Sequence, residues 1–387
     1  MHLAYTPQQQ AFRAEVRAWL AANVPPAPLL TLECEEGYHQ HVGWERQLAS
    51  GNWGMVTWPE AYGGRGLDLI EWLIFEEEYW GAGAPLRVNQ NGIFLLGPTI
   101  MEYGTPEQKE RFLTPMAAGE KIWAQAWSEP GAGSDMAAIK TTAFRDGDHY
   151  VINGQKTWSS RASFADWGFG LFRTEEGSQR HKGLSFILFD LDTPGVTRRP
   201  IRQLHGHPGF AELFFDDVRV PVENRLAGEG EGWNVAMATA GFERGLMLRS
   251  PGRFQAAARR LVELFRQHEH AAAPSAREAV ARAWMDAQAY AYNTYAVAAK
   301  IMAGGKIGAE ASLNKIFWSE LDRTMHRTAM QLLGAAAELR HLADGSINEW
   351  LEGYMFSLSG PIYAGSNEIQ RNITAERLLG LPRVGAG

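Results

Sequence analysis

The run from Gln125 to Asp135, Q-A-W-S-E-P-G-A-G-S-D, collects residue types that bind an anion. Gly131 and Gly133 carry no Cβ to hold a ligand away from their N–H groups, and Ser128 and Ser134 add short hydroxyl donors. A pyrophosphate-like group suits that combination. A plain Pro-Gly turn between two elements needs only Pro130 and Gly131 and leaves the clustered hydroxyls unused. Further on, Asn153 to Ser160 (N-G-Q-K-T-W-S-S) adds Trp158, which could flank a planar ring or sit in a core.

Other groups that could do chemistry carry less. The pairs His39/His41, His205/His207 and His268/His270 have no carboxylate or cysteine cluster to complete a coordination shell, so no metal is expected and they read as surface or supporting histidines. Gly63-Gly64-Arg65-Gly66 precedes no βαβ pattern, which excludes a dinucleotide fingerprint there. Glu76-Glu77-Glu78 reads as a solvated helix face.

The elements that must position these residues change character along the chain. Thr6-Pro7-Gln8-Gln9 has a capping Thr, Pro at the first helical position and Gln at the third, followed by an apolar stripe at Phe12, Val16, Trp19 and Leu20. Thr105-Pro106-Glu107-Gln108 repeats the start signal. Between them, Trp53 to Gly66 has too many breakers for a helix and is expected to be a loop. From about Lys121 short β-type runs take over: Tyr150 to Ile152, Trp167 to Phe172, Leu184 to Phe189 and Glu212 to Val220, separated by Asn-Gly, Thr-Pro-Gly and charged turns.

After Gly232 helical spacing returns. Ser275-Ala276-Arg277-Glu278 is a capping box leading into Val280, Trp284, Ala287, Ala291, Thr294, Ala298 and Ile301, ended by Gly304-Gly305. Leu313, Phe317, Leu321, Met325, Thr328 and Leu332 mark another long helix, and such helices pack as an antiparallel bundle. The fold expected is therefore α+β and mostly α: a helical domain over 1–121, a β-barrel-like domain over 122–229 and a helical bundle over 230–387.

With 387 residues, 45% of them apolar, the chain can fill two or three cores. A net charge of −7 argues against nucleic acid as the main partner. The single cysteine, Cys34, excludes an internal disulfide framework. No apolar run approaches a membrane span and the first residues lack a secretion-type core, so a cytoplasmic protein is expected.

Together, the Gln125–Asp135 and Asn153–Ser160 segments, Trp53–Gly66, Leu184–Val220 and the ending Tyr363 to Arg383 (Y-A-G-S-N-E-I-Q-R-N-I-T-A-E-R-L-L-G-L-P-R) resemble the acyl-CoA dehydrogenases over nearly the whole chain. The resemblance implies an FAD enzyme that desaturates an acyl-CoA thioester. A base takes the α-proton while the β-hydride passes to flavin N5, and electrons go on to an electron-transfer flavoprotein. It assigns Gln125, Trp127, Ser128, Gly133, Ser134, Trp158 and Ser160 to the flavin, together with Gln331, Gly334, Ser366 and Glu368, with Ser134 also facing substrate. For Ser366 a plain helix cap is the alternative.

Two departures from the family pattern matter. Many members carry the base as Glu directly after the Tyr of the C-terminal Tyr-x-Gly motif, where this chain has Ala364. A second arrangement, similar to isovaleryl-type and bacterial steroid-side-chain enzymes, places it on the first helix of the C-terminal domain, which Gly241-Phe242-Glu243-Arg244-Gly245 matches. Glu243 is then the expected base and Arg244 a partner of the CoA-linked part of the substrate, whereas Ala364 keeps a backbone N–H for the thioester oxygen. The Arg-x-x-Phe-Gly segment that grips a neighbour's FAD in many homotetramers has no match across Arg266 to Ala283. Gln331-Leu332-Leu333-Gly334-Ala335 only partly preserves the nearby Gln-x-x-Gly-Gly element. A homo- or heterotetramer is expected, with a half-site or non-catalytic subunit and a same-fold oxidase as alternatives. The base position gives a preference for branched, long or steroid-derived acyl groups.

Overall fold

The computed structural model describes residues 4–382 apart from 245–248, 271 and 344, and describes the backbone alone at 243 and 244. Eleven α-helices and eight strands follow in order among these residues. Helices α1 (Pro7–Asn23), α2 (Glu35–Ser50), α3 (Leu69–Gly81), α4 (Gly97–Tyr103) and α5 (Pro106–Ala117) precede strands β1 (Trp123–Ala126), β2 (Thr142–Asp146), β3 (His149–Ser160), β4 (Trp167–Arg173), β5 (Leu184–Asp190), β6 (Val196–Ile201), β7 (Phe210–Pro221) and β8 (Arg225–Leu226). Helices α6 (Gly232–Arg244), α7 (Pro251–His268), α8 (Pro274–Met302), α9 (Ala311–Leu333), α10 (Glu349–Ser357) and α11 (Asn367–Ile373) complete the chain. No described helix is long and apolar enough to cross a membrane.

The chain divides into two compact units. One contains Pro25–Gly66 and Pro85–Glu243, and so holds the sheet. Its strand order is β6-β7-β3-β2-β4-β5-β8, with β1 paired in parallel to β4 and the long β3 and β7 antiparallel to each other. The inner face is packed with Tyr150, Ile152, Phe172, Ile187, Phe189, Leu213, Phe215 and Val220. Strand β4 is buried at every position but its two ends, which is why the sequence shows an unbroken apolar run there.

Asn153-Gly154 was expected to be a turn and is instead inside β3. The pairing of β3 with β7 shifts register between Ile152 and Gly154, and Gly154 takes φ 138, so the dipeptide forms a bulge. A second shift, between Lys156 and Ser159, frees Trp158 from the ladder.

The other unit comprises Met1–Val24, Leu67–Ala84 and Arg244–Gly387. Thr6 caps α1 in a full capping box, with Pro at the first helical position. Thr105 does the same for α5 of the first unit. The box expected at Ser275 does not form. Helix α8 begins at Pro274 after Ala273, with no side-chain cap, so Ser275 already lies in the first turn. Of its apolar stripe Val280, Ala287, Ala291, Thr294 and Ala298 are buried, and α7, α8 and α9 share a core with Phe254, Leu261, Tyr290, Trp318 and Met325.

The Glu76-Glu77-Glu78 run is not a solvated face. Glu76 is buried and accepts from Trp80 Nε1 at 2.8 Å, Glu77 accepts from Tyr295 Oη at 2.8 Å and pairs with Arg13, and Glu78 takes two hydrogen bonds from Arg17. Helix α3 is covered by α1, α7 and α8, a packing no local pattern announces. At Gly252 of α7 a Cβ would lie 2.5 Å from the Glu76 carbonyl oxygen.

Candidate active site

Strand β1 carries the chain through Gln125 to Trp127, where the backbone leaves the sheet. The Trp127 ring meets Phe169 and Phe186 edge-on, each at 6.5 Å, and its Nε1 is buried with no hydrogen-bond partner among the described residues. An indole N–H so placed costs free energy until an acceptor arrives. Ser128 is half-buried, and Gly131, Gly133 and Ser134 are exposed. The space a Cβ would occupy at Gly131 or Gly133 is open to 4 Å, so a ligand can approach their backbone.

The partner segment is β3. The bulge leaves Trp158 59% exposed with φ 59, its ring against Phe210 at 6.1 Å, while Ser160 is half-buried opposite Phe210 in the ladder. A large aromatic held outward in the left-handed region is costly for a core residue and suits one that covers a planar ligand. The Thr157 N–H donates to the Ser128 carbonyl at 2.8 Å, joining the two segments.

The sequence reading missed what holds them. Lys156, fully buried, donates from Nζ to Glu129 Oε1 at 2.9 Å, to the Leu171 carbonyl at 2.7 Å and to the Trp127 carbonyl at 3.3 Å. Glu129 also accepts the N–H groups of Lys140 at 2.6 Å and Thr141 at 3.0 Å. Burial pushes the Glu129 carboxyl up, but the Lys156 charge and these donors outweigh it and hold it below its ordinary value. Burial lowers Lys156, opposed by Glu129. The signal was present: both residues lie inside the two motifs, and Lys156 falls in a strand whose neighbours are core residues.

The remaining predicted residues other than Glu243 belong to the helical unit. In the helical unit, the Tyr363-Ala364-Gly365 turn has φ 55 at Ala364 and 73 at Gly365. Gln370 Nε2 donates to the carbonyls of Ala364 at 3.0 Å and Gly365 at 3.3 Å, whereas the Ala364 N–H has no partner among the described residues. Tyr363 is steadied by Arg249, whose Nη2 donates to its hydroxyl at 3.2 Å and whose guanidinium lies 5.0 Å from the Trp318 ring. Ser366 is the cap of α11, accepting from the Ile369 N–H at 3.4 Å, and Glu368 is exposed in the first turn, its carboxyl lowered by its own N–H and by Ser366.

Gln331 and Gly334 do not join Ser366 and Glu368. Asn367 docks at Ser319 of α9, twelve positions before Gln331, which is roughly 18 Å along the helix. Glu243 and Arg244 end α6, and their side chains lie outside the described residues.

The histidines are structural or peripheral. His41 is buried between the carbonyls of Leu86 at 2.8 Å and Leu30 at 3.2 Å, and burial lowers its pKa, which makes it the supporting and not the surface kind of the two expected. Among the described residues no group of three His, Cys, Asp or Glu could hold a metal ion. A cavity of about 420 Å³ in the sheet unit is lined by His181, Lys182 and Trp233 but also by Glu175, Glu229 and Glu231, a poor lining for an anionic ligand, and by none of the predicted site residues.

Comparison with known proteins decides the family. Family models of the acyl-CoA dehydrogenase N-terminal, middle and C-terminal domains match residues 6–120, 124–218 and 230–379. The chain belongs to the acyl-CoA dehydrogenase family. As such it is an oxidoreductase acting on the CH–CH bond of acyl-CoA, in a family of FAD-binding flavoproteins.

Among curated relatives, acyl-CoA dehydrogenase IpdE1 of Mycobacterium tuberculosis is 43% identical, over 98% of this chain and 99% of that one. Among solved structures, the Tcur3481-Tcur3483 steroid ACAD is similar at 28% identity with TM-score 0.87, covering 99% of this chain and 100% of that one. The ChsE4-ChsE5 complex from Mycobacterium tuberculosis is similar at 32% identity with TM-score 0.83 and the same coverage. A flavin fits what this acyl-CoA dehydrogenase leaves open: an unmet buried indole N–H, glycines with free approach and an outward tryptophan.

Proposed function

We propose that this chain is the FAD-binding, base-carrying subunit of an acyl-CoA dehydrogenase that introduces an α,β-double bond into a bulky acyl-CoA thioester. Trp127, Ser128, Gly133, Ser134, Trp158 and Ser160 hold the flavin, with Gln125, Ser366 and Glu368 contributing. Gln331 and Gly334 face a neighbour's flavin, in keeping with their distance from Ser366. The hydride that leaves the β-carbon needs a two-electron acceptor, the chemistry that FAD would supply when bound. The observation that carries the reading is the Ala364 peptide, which offers an N–H and no carboxylate. That N–H donates to the thioester carbonyl oxygen as enolate charge develops there, so the α C–H bond breaks toward a carboxylate from elsewhere, Glu243. Arg244 binds the CoA-linked end and Ser134 lies beside the acyl group.

Steroid-type relatives and the base position favour a steroid-derived or branched acyl group over a short straight one. The paired subunit names of the ChsE4-ChsE5 complex and the missing Arg-x-x-Phe-Gly segment favour assembly with an unlike sister chain, and an electron-transfer flavoprotein is the acceptor. The test is anaerobic mixing of the flavin-loaded protein with straight, branched and steroid-side-chain CoA thioesters, following visible flavin absorbance. Glu243→Gln should slow bleaching by about 100-fold or more. Bleaching at the unmodified rate in that variant would remove Glu243 from the role. Flavin-to-protein ratio and mass of the purified protein test the assembly, where stoichiometric FAD on a homo-oligomer excludes the sister chain.

A further inference from the structure

The Lys156–Glu129 pair sits inside both flavin-site motifs, yet no chemical step uses it. As a stabilising device it is a poor choice, because two charges taken from water gain little over apolar residues of the same volume. Its effect is on direction. Lys156 Nζ draws the Trp127 and Leu171 carbonyls toward the buried ammonium, and the Thr157 N–H takes the Ser128 carbonyl.

In a planar trans peptide the carbonyl of one residue and the N–H of the next point opposite ways. With the Trp127 carbonyl pulled inward, the Ser128 N–H is turned away from Lys156, and no described residue takes it. Glu129 binds the N–H groups of Lys140 and Thr141 from the far end of the same loop, so one carboxylate closes the arc that runs through Gly131, Gly133 and Ser134. The Glu129 N–H and carbonyl are meanwhile paired with Ala132 at 3.1 and 3.0 Å, which fixes the arc's first turn.

We propose that the buried Lys156–Glu129 pair is a positioning device for the flavin loop, aiming the Ser128 N–H and the Gly131–Ser134 arc at the cofactor without touching it. This rests on the reading of the protein as an FAD enzyme. A carboxylate and an ammonium suit the task because together they engage four backbone groups on three separate stretches of chain, the Trp127 and Leu171 carbonyls and the Lys140 and Thr141 N–H groups. An apolar pair of equal volume would fill the space and direct none of them.

Two variants test it, each purified with whatever chain accompanies it and stripped of flavin. Glu129→Asp keeps the charge but shortens the reach. The double variant Lys156→Met with Glu129→Gln removes both charges and leaves no buried ion alone. FAD is titrated in by fluorescence, the bound flavin's absorption band is recorded, and melting of the flavin-free protein is measured separately.

The expected result is a flavin-free melting temperature near that of the unaltered protein, with the FAD dissociation constant raised roughly tenfold or more and a displaced flavin band in both variants. A folded variant that binds FAD with unaltered affinity and spectrum overturns the proposal. So does a loss of affinity that merely follows a loss of melting temperature, since that is a structural role alone. If the double variant does not fold, Glu129→Asp decides by the same criteria. An unaltered protein that binds no FAD defeats the flavin reading itself, an outcome distinct from variants that match it.

Discussion

Two lysines with almost no exposure, Lys156 and Lys315, each anchor a loop of their own unit, and they do so with different partners. Lys156, in the sheet unit, meets a carboxylate and two carbonyls. Lys315, in the helical unit, donates to the Asn367 side-chain oxygen at 2.8 Å. The Asn367 amide nitrogen donates in turn to Ser319 Oγ at 3.1 Å and Glu320 Oε1 at 3.0 Å, and its backbone N–H to the Pro361 carbonyl at 2.8 Å. The loop after β1 is therefore pinned by an ion pair from its own Glu129 to Lys156 of β3, and the Tyr363–Gly365 turn by an amide network around one asparagine. Losing one partner of the ion pair strands a charge. The amide network can lose one bond and keep others.

That difference is open to measurement. Lys156→Met should destabilise the fold by about 3–5 kcal/mol, because Glu129 stays buried without its cation, whereas Lys315→Met should cost only about 2 kcal/mol, since Ser319 Oγ still reaches the Asn367 oxygen at 3.2 Å. Denaturant midpoints of the two variants give the ranking, and equal losses would erase the distinction.

A smaller effect is expected with acid. The Glu129 carboxyl is held below its ordinary value of 4.5, so its contribution is complete above that pH and drains away as pH falls toward the lower folded value. Removing both charges of the pair should flatten that part of the acid limb and leave the remainder, to which buried Asp322 contributes in the same sense through Arg253 and His326. An acid limb unchanged in the double variant would show that the pair does not titrate with unfolding.

The smallest effect belongs to the turn. Ala364 at φ 55 pays a left-handed penalty that glycine avoids, offset by glycine's greater freedom when unfolded, so Ala364→Gly should raise stability by about 1 kcal/mol or less in thermal melts. A loss instead would mean that the alanine methyl packs against something the turn needs.

Local signals were legible where one stretch of chain fixes the outcome. The Thr-Pro-x-Gln starts of α1 and α5, the unbroken apolar run of β4 and the Gly304-Gly305 stop of α8 all act within a few residues. The same kind of reading failed at Ser275, where Pro274 had already begun the helix, and at Asn153-Gly154, where pairing with β7 turned a hairpin signal into a bulge. It failed at Glu76–Glu78 because their partners Arg13, Arg17 and Tyr295 are distant in sequence.

The amino-acid order by itself determined the family, the chemistry its motifs can serve and the absence of a carboxylate at Ala364, since these depend on residue identity at short spacing. Only the tertiary structure decided that Lys156 and Glu129 meet, that Trp158 faces outward and that Gln331 stands far from Ser366. Those outcomes depend on strand register and helix packing, which are set by contacts between segments that no local pattern connects.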